Sequence, residues 1–224
     1  MYKRVISALL GLLMLLGLMG CATPAEDTGT ESPLPCPELG TPLTEEQLQA
    51  FDEMFGADTW YGRTLTSIYE DPKDVDMRDM FRENPTLSGD YCLSEQERAA
   101  LLRAGCSQET LDNLPCDRVT RQEVEEALQQ CFGRELYKFH QTNLEKLFYL
   151  EETDAWYCFH GDTNMVLPEF LGGYSLPDGR TVLYYDWSDD LRVVTLYLTK
   201  AGEWHVLSQL PLSPVAPVPG PVYA

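Results

Sequence analysis

The densest polar cluster in the chain is His160-Gly161-Asp162-Thr163-Asn164, and Cys158 lies just before it. An imidazole with a carboxylate two residues away is the raw material of a general base and its orienting partner. Cys158 and His160 share one face of an extended strand, so a thiol nucleophile could be added to the pair. A Gly-Asp-Thr-Asn run has a second use in loops. Glycine takes positive φ there, and Asp, Thr and Asn side chains bond their own backbone. No G-x-S-x-G elbow accompanies the cluster, and same-face neighbours on one strand seldom reach attack geometry. His160, Asp162 and Cys158 are therefore weak catalytic candidates, with a structural loop as the competing expectation.

Metal chemistry finds little support in the spacing. Six cysteines follow Cys21, but no C-x₂-C pair occurs and the three histidines are scattered, unlike a zinc set. Asp71, Asp74, Asp76 and Asp79 lack EF-hand spacing and its central glycine. Asp74 or Asp76 as a helix N-cap is the better expectation. No cofactor is implied. Cys36, Cys92, Cys106, Cys116, Cys131 and Cys158 permit up to three disulfides if the chain is exported. The sequence suggests one local bridge among Cys92, Cys106 and Cys116, whereas Cys131 fits a buried thiol on an apolar stripe.

Aromatic side chains concentrate late in the chain, among them Trp156, Tyr157, Tyr184, Tyr185, Trp187 and Trp204. Alternation forbids Tyr184 and Tyr185 from both facing one core. An exposed aromatic face, with Trp156, Tyr184 and Trp187 as its binding residues, is expected to grip a peptide or stack on a glycan.

The elements that must hold these groups can be read around them. Thr44-Glu45-Glu46-Gln47, Ser94-Glu95-Gln96-Glu97 and Thr120-Arg121-Gln122-Glu123 fit capping boxes. Each precedes helical spacing and then a glycine, Gly56, Gly105 or Gly133. Further helices are expected over 63–70, stopped before Pro72, and around 77–82. From Leu144 the period changes to that of strands. Segments 144–150, 155–160, 170–176, 180–187, 191–199 and 203–210, separated by turns such as Pro177-Asp178-Gly179, predict a meander. The fold class is α+β, with N-terminal helices packed on a C-terminal antiparallel β-meander.

The ends carry a different signal. Lys3 and Arg4 precede the apolar stretch Val5–Met19, about fifteen residues long and too short for a comfortable transmembrane span. Leu18-Met19-Gly20-Cys21 then resembles a bacterial lipobox. That resemblance implies cleavage before Cys21, diacylglyceryl modification of its thiol, and attachment to the extracytoplasmic face of the cell membrane. The expected organisation is a signal peptide over 1–20, a lipidated Cys21 with a flexible linker over 21–43, one domain over 44–210, and a Pro-rich tail over 211–224. The linker would span roughly 25 Å as a random coil.

The 224 residues are 44% hydrophobic and 11% aromatic, enough for a packed core. Sixteen Lys+Arg against 36 Asp+Glu give a net charge of -20. That excludes a non-specific nucleic-acid partner, which needs a basic face.

Tyr149-Leu150-Glu151-Glu152-Thr153-Asp154-Ala155-Trp156-Tyr157 running into His160-Gly161-Asp162-Thr163-Asn164 resembles a segment of small, uncharacterised lipoproteins of Gram-positive-type anaerobic bacteria. Leu43-Thr44-Glu45-Glu46 and Tyr69-Glu70-Asp71-Pro72 are similar too, so the resemblance spans most of 43–210; the cysteine content departs from it. It implies the lipobox, linker, helix and meander plan and no activity. The functional expectation is a membrane-anchored, non-catalytic binding or interaction domain at the cell envelope, with a protein, peptide or glycan partner. The alternative is an envelope hydrolase using His160 and Asp162. A solute-binding importer component is disfavoured, because one small domain lacks the paired lobes that close on a ligand.

Overall fold

Local capping fixes where the helices begin. The computed structural model describes residues 40–82, 84–85, 91–140, 144, 146–161, 168–188 and 190–212. Within them lie helices α1 (Glu45–Met54), α2 (Trp60–Thr64), α3 (Met77–Phe81), α4 (Glu95–Arg103), α5 (Gln108–Asn113) and α6 (Arg121–Phe132). Strands are β1 (Thr41–Pro42), β2 (Cys116–Thr120), β3 (Phe148–Leu150), β4 (Ala155–Phe159), β5 (Glu169–Ser175), β6 (Arg180–Trp187), β7 (Asp190–Leu198) and β8 (Trp204–Pro211). Thr44, Ser94 and Thr120 form complete capping boxes with Gln47, Glu97 and Glu123. Each such cap contributes about 1 kcal/mol to helix stability. Asp76 caps α3 by accepting from the amides of Arg78 and Asp79, the use expected for this acidic run. Asp71 caps the 3₁₀ turn Pro72–Asp74.

The α+β class holds, but the strands form two antiparallel sheets. One has five strands in the order β1-β5-β6-β7-β8; the other has three, β2-β4-β3. The expected C-terminal meander forms over β5 to β8, while the expected hairpin of 144–150 and 155–160 forms as β3–β4 and joins β2 in a sheet of its own. β2 comes from a stretch that reads as loop, because Cys116-Asp117-Arg118-Val119-Thr120 shows no apolar alternation. It is a strand because β4 supplies the ladder and His160, just after β4, meets the Asp117 carboxylate. The helix expected over 63–70 instead occupies Trp60–Thr64. Thr59 caps that helix early, and Tyr69 is held by a bridge to Gln209. Thr41–Pro42, at the end of the expected linker, pairs with β5. Leu212 still donates to the Leu191 carbonyl.

Helix α6 presents Val124, Ala127, Leu128, Cys131 and Phe132 to the interior, as its stripe predicts. They join Phe51 of α1, its C-cap Phe55, and Leu183, Tyr185, Val194, Leu196, Trp204 and Val206 of the large sheet in the main core. The small sheet is buried on both faces. Val119, Trp156 and Cys158 belong to the main core. Cys116, Ala155, Tyr157 and Leu150 point the other way, into a second core with Leu101 of α4 and Leu111 of α5. Period-2 alternation along β4 therefore joins the two cores through one strand.

The expected local disulfide is not formed: Cys92, Cys106, Cys116, Cys131 and Cys158 are all unbridged. Cys116 and Cys158 lie on adjacent strands but on opposite faces, since Cys116 faces Phe159 in register and Cys158 faces Asp117. Cys131 is fully buried, as an apolar helix stripe requires. Cys21, Cys36, the lipobox and the Pro-rich tail from residue 213 onward lie outside the described residues.

Candidate functional site

His160 follows β4, and its backbone amide is held by the Pro115 carbonyl at 3.3 Å. Its Nε2 lies 2.7 Å from Asp117 Oδ2, and its Nδ1 lies 3.1 Å from the Gly161 carbonyl. Both neighbours are oxygens able to accept from the ring. Asp117 is 1% exposed, and its Oδ1 has no hydrogen-bond partner among the described residues. Asp117 faces Cys158 across the β2–β4 ladder. Alternation thus places Asp117, Cys158 and His160 on the face turned toward the main core.

The orienting carboxylate is accordingly Asp117, 43 residues upstream in the chain, where sequence proximity suggested Asp162. Asp162 lies outside the described residues. Cys158 is only 8% exposed and packs in the main core. The arrangement can hold or pass a proton at the Nε2–Oδ2 contact. Its chief geometric effect is to lock the end of β4 onto β2.

The aromatic candidates are mostly interior. Trp156 is 8% exposed and Tyr184 5%, which corrects the expectation that they form a stacking face. Arg121 covers Trp156 with its guanidinium 5.1 Å from the ring centroid, and also covers Tyr149 at 5.5 Å. The same Arg121 donates to Asp154 Oδ1 at 2.9 Å and to the Tyr149 hydroxyl at 3.0 Å. This clamp ties the start of α6 to the β3–β4 hairpin. Tyr184 meets Tyr174 edge-on at 6.2 Å. Trp187 is half-buried, packing against the core with Arg192 at 5.3 Å from its ring. Tyr137, which sequence reasoning did not single out, is 66% exposed.

A second polar knot occupies the opposite face of the small sheet. Glu97 of α4, 8% exposed, accepts from Ser94 N at 2.8 Å, Ser94 Oγ at 2.6 Å, Tyr91 Oη at 2.7 Å and Tyr157 Oη at 2.6 Å. Arg118 Nε stands 3.9 Å from the same carboxylate. Burial alone raises a carboxyl pKa. Here the four donors outweigh it and hold Glu97 at about 2. The capping-box spacing announces the Ser94–Glu97 half of this knot; the Tyr157 half depends on tertiary contact.

Among the described residues no three His, Cys, Asp or Glu side chains converge on a metal position. No described helix is long and apolar enough to cross a membrane. Open grooves mark the surface of the described residues. One, of about 420 Å³, is lined by Lys73, Gln129, Gly133, Arg134, Glu135 and Lys138. Another, of about 540 Å³, runs between the end of α4 and the β3–β4 turn, from Arg103 to Glu152.

Set against protein-family models, curated proteins and solved structures, the chain matches none.

Proposed function

We propose that this chain is a lipid-anchored domain on the extracytoplasmic face of a bacterial membrane, and that it works by binding an envelope component. The observation that carries the anchor is Leu18-Met19-Gly20-Cys21 behind the apolar stretch Val5–Met19. Two acyl chains on one thiol, at roughly 0.8 kcal/mol per buried CH₂, hold a domain stably where a single chain exchanges. Binding without chemistry is supported by the interior placement of Asp117 and Cys158 and by the open grooves elsewhere. The resemblance to uncharacterised lipoproteins agrees with the anchor and adds no activity.

The test is mass spectrometry and fractionation of the chain expressed in a lipoprotein-processing bacterium. Wild type should begin at a diacylglyceryl Cys21 and sediment with membranes, and Cys21→Ala should lose the modification. A bare Cys21 thiol in the wild-type chain would refute the anchor. A hydrolase at His160 is the second reading. The 2.7 Å His160–Asp117 contact is what favours it.

A further inference from the structure

The five-stranded sheet gives one of its faces to the main core. Leu183 and Tyr185 of β6, Val194 and Leu196 of β7 and Val206 of β8 point into it. Alternation therefore turns Val182, Tyr184 and Val193 to the opposite, outer face. Gln209 is wholly buried and donates to the Leu65 carbonyl, which turns its neighbour Leu210 outward as well. Tyr174 of β5 joins them, its ring edge-on to Tyr184 at 6.2 Å. Register aligns these side chains across the sheet. Tyr174 faces Val182, and Tyr184, Val193 and Leu210 make one row. At the margin Leu191, 39% exposed, stands opposite Asp186.

Tyr174, Val182, Tyr184, Val193, Leu210 and Leu191 carry no charge, in a chain with 16 Lys+Arg and 36 Asp+Glu. Tyr184 is only 5% exposed, yet it belongs to neither core. Its neighbour on β5 is Gly172, which has no side chain to lay over it. Burial of a tyrosine outside both cores calls for cover on that face.

The chain itself supplies a cover of matching chemistry. β8 runs out at the Leu191 margin, where Leu212 donates to the Leu191 carbonyl at 2.7 Å. The segment that follows, Ser213-Pro214-Val215-Ala216-Pro217-Val218-Pro219-Gly220-Pro221-Val222-Tyr223-Ala224, has no charged side chain. Its four prolines have no N–H to donate, so it cannot prolong the β7–β8 ladder. Proline-rich chain favours the PPII helix, whose rings pack on aromatic-lined surfaces. At about 3.1 Å per residue, the stretch from 213 to 218 reaches about 19 Å. That exceeds the three strand spacings from β8 to β5, about 15 Å.

We propose that the proline-rich segment 213–224 lies in cis over the outer face of the five-stranded sheet, with its prolines and valines on Val193, Tyr184 and Tyr174. So placed, it shields an apolar face from other chains. The inference is independent of the anchor and of the binding reading.

The experiment puts photoreactive benzoylphenylalanine in place of Val218 in the full chain, in non-ionic detergent, and maps crosslinks by mass spectrometry after illumination. Crosslinks within one chain to peptides carrying residues 174, 182–184 or 193 are expected, in a yield that does not change with protein concentration. Pro214→Ser with Pro217→Ser and Pro219→Ser alters the segment alone and should lower that yield severalfold with Tm of the domain kept. Val193→Lys should lower it from the other side, and the triple variant decides the matter where Val193→Lys also lowers Tm. Absence of these crosslinks, crosslinks confined to residues 22–39 or to another face, a yield that rises with concentration as for a second copy, or an undiminished yield in the triple variant overturns the proposal.

Discussion

Tyr157→Phe tests the physical account of the second core. The substitution keeps the ring that fills it and removes the hydroxyl that donates to Glu97 at 2.6 Å and meets Thr153 Oγ1 at 3.0 Å. A hydrogen bond to a charged group contributes about 1.5–3 kcal/mol, so a loss of about 2 kcal/mol is expected at pH 7. The dependence on pH is the sharper test. Glu97 is held at about 2, against 4.5 for an unperturbed glutamate. Its folded value is depressed, so the stabilisation is complete above the unfolded pKa. It fades as pH falls from about 4.5 toward 2, and the whole gap amounts to about 3 kcal/mol. The Tyr157 hydroxyl supplies part of that gap, so wild type and Tyr157→Phe should converge in stability across the same window. Urea midpoints of the two full-length chains, measured from pH 7 downward, read this directly. Taking the difference cancels the other carboxylates that protonate in acid. A gap that stays constant from pH 7 to below pH 3 would mean that Tyr157 contributes packing alone.

Two other substitutions probe the remaining contacts. His160→Ala strands the buried Asp117 carboxylate and should cost about 3 kcal/mol in urea unfolding, while Asp117→Ala combined with it should cost less than the sum of the singles; a neutral His160→Ala would show that the contact carries no stability, and a selective loss of hydrolase activity with normal stability would revive the catalytic reading. Gly62→Ala places a methyl 2.4 Å from the Gly56 carbonyl oxygen and 2.7 Å from that of Phe55, so thermal unfolding should show a loss of about 1–3 kcal/mol; an unchanged Tm would mean that the α1–α2 turn yields freely.

Some of this fold is legible in the residues because short-range chemistry decides it. Capping boxes at Thr44, Ser94 and Thr120 and the αL glycine at 133 are contacts within four residues, and they form where the sequence puts them. The alternation of β7 and β8 reflects one-sided burial and reads equally well. β2 does not read, because both its faces are buried and its polar residues are satisfied by groups far away in sequence: Asp117 by His160, and Arg118 by the Tyr91 ring and Glu97. The partner of His160 escaped for the same reason. Nearness in sequence favoured Asp162, whereas antiparallel register brings in Asp117. Aromatic alternation showed that Tyr184 and Tyr185 face opposite ways. It could not show that Tyr184 is nonetheless buried, because that depends on what packs beside it.

The two polar knots bear on function through the groups they occupy. The small sheet meets a buried carboxylate at each face, Asp117 of β2 on one side and Glu97 of α4 on the other. Each takes a basic side chain, His160 or Arg118, out of a small stock. Arg121 is likewise spent on Trp156, Tyr149 and Asp154. Side chains used this way stabilise the join between two cores. The dyad at His160 has both ring nitrogens engaged, Nε2 by Asp117 Oδ2 and Nδ1 by the Gly161 carbonyl, so neither faces a substrate. That engagement favours the open grooves over the dyad as the face this protein turns to its surroundings.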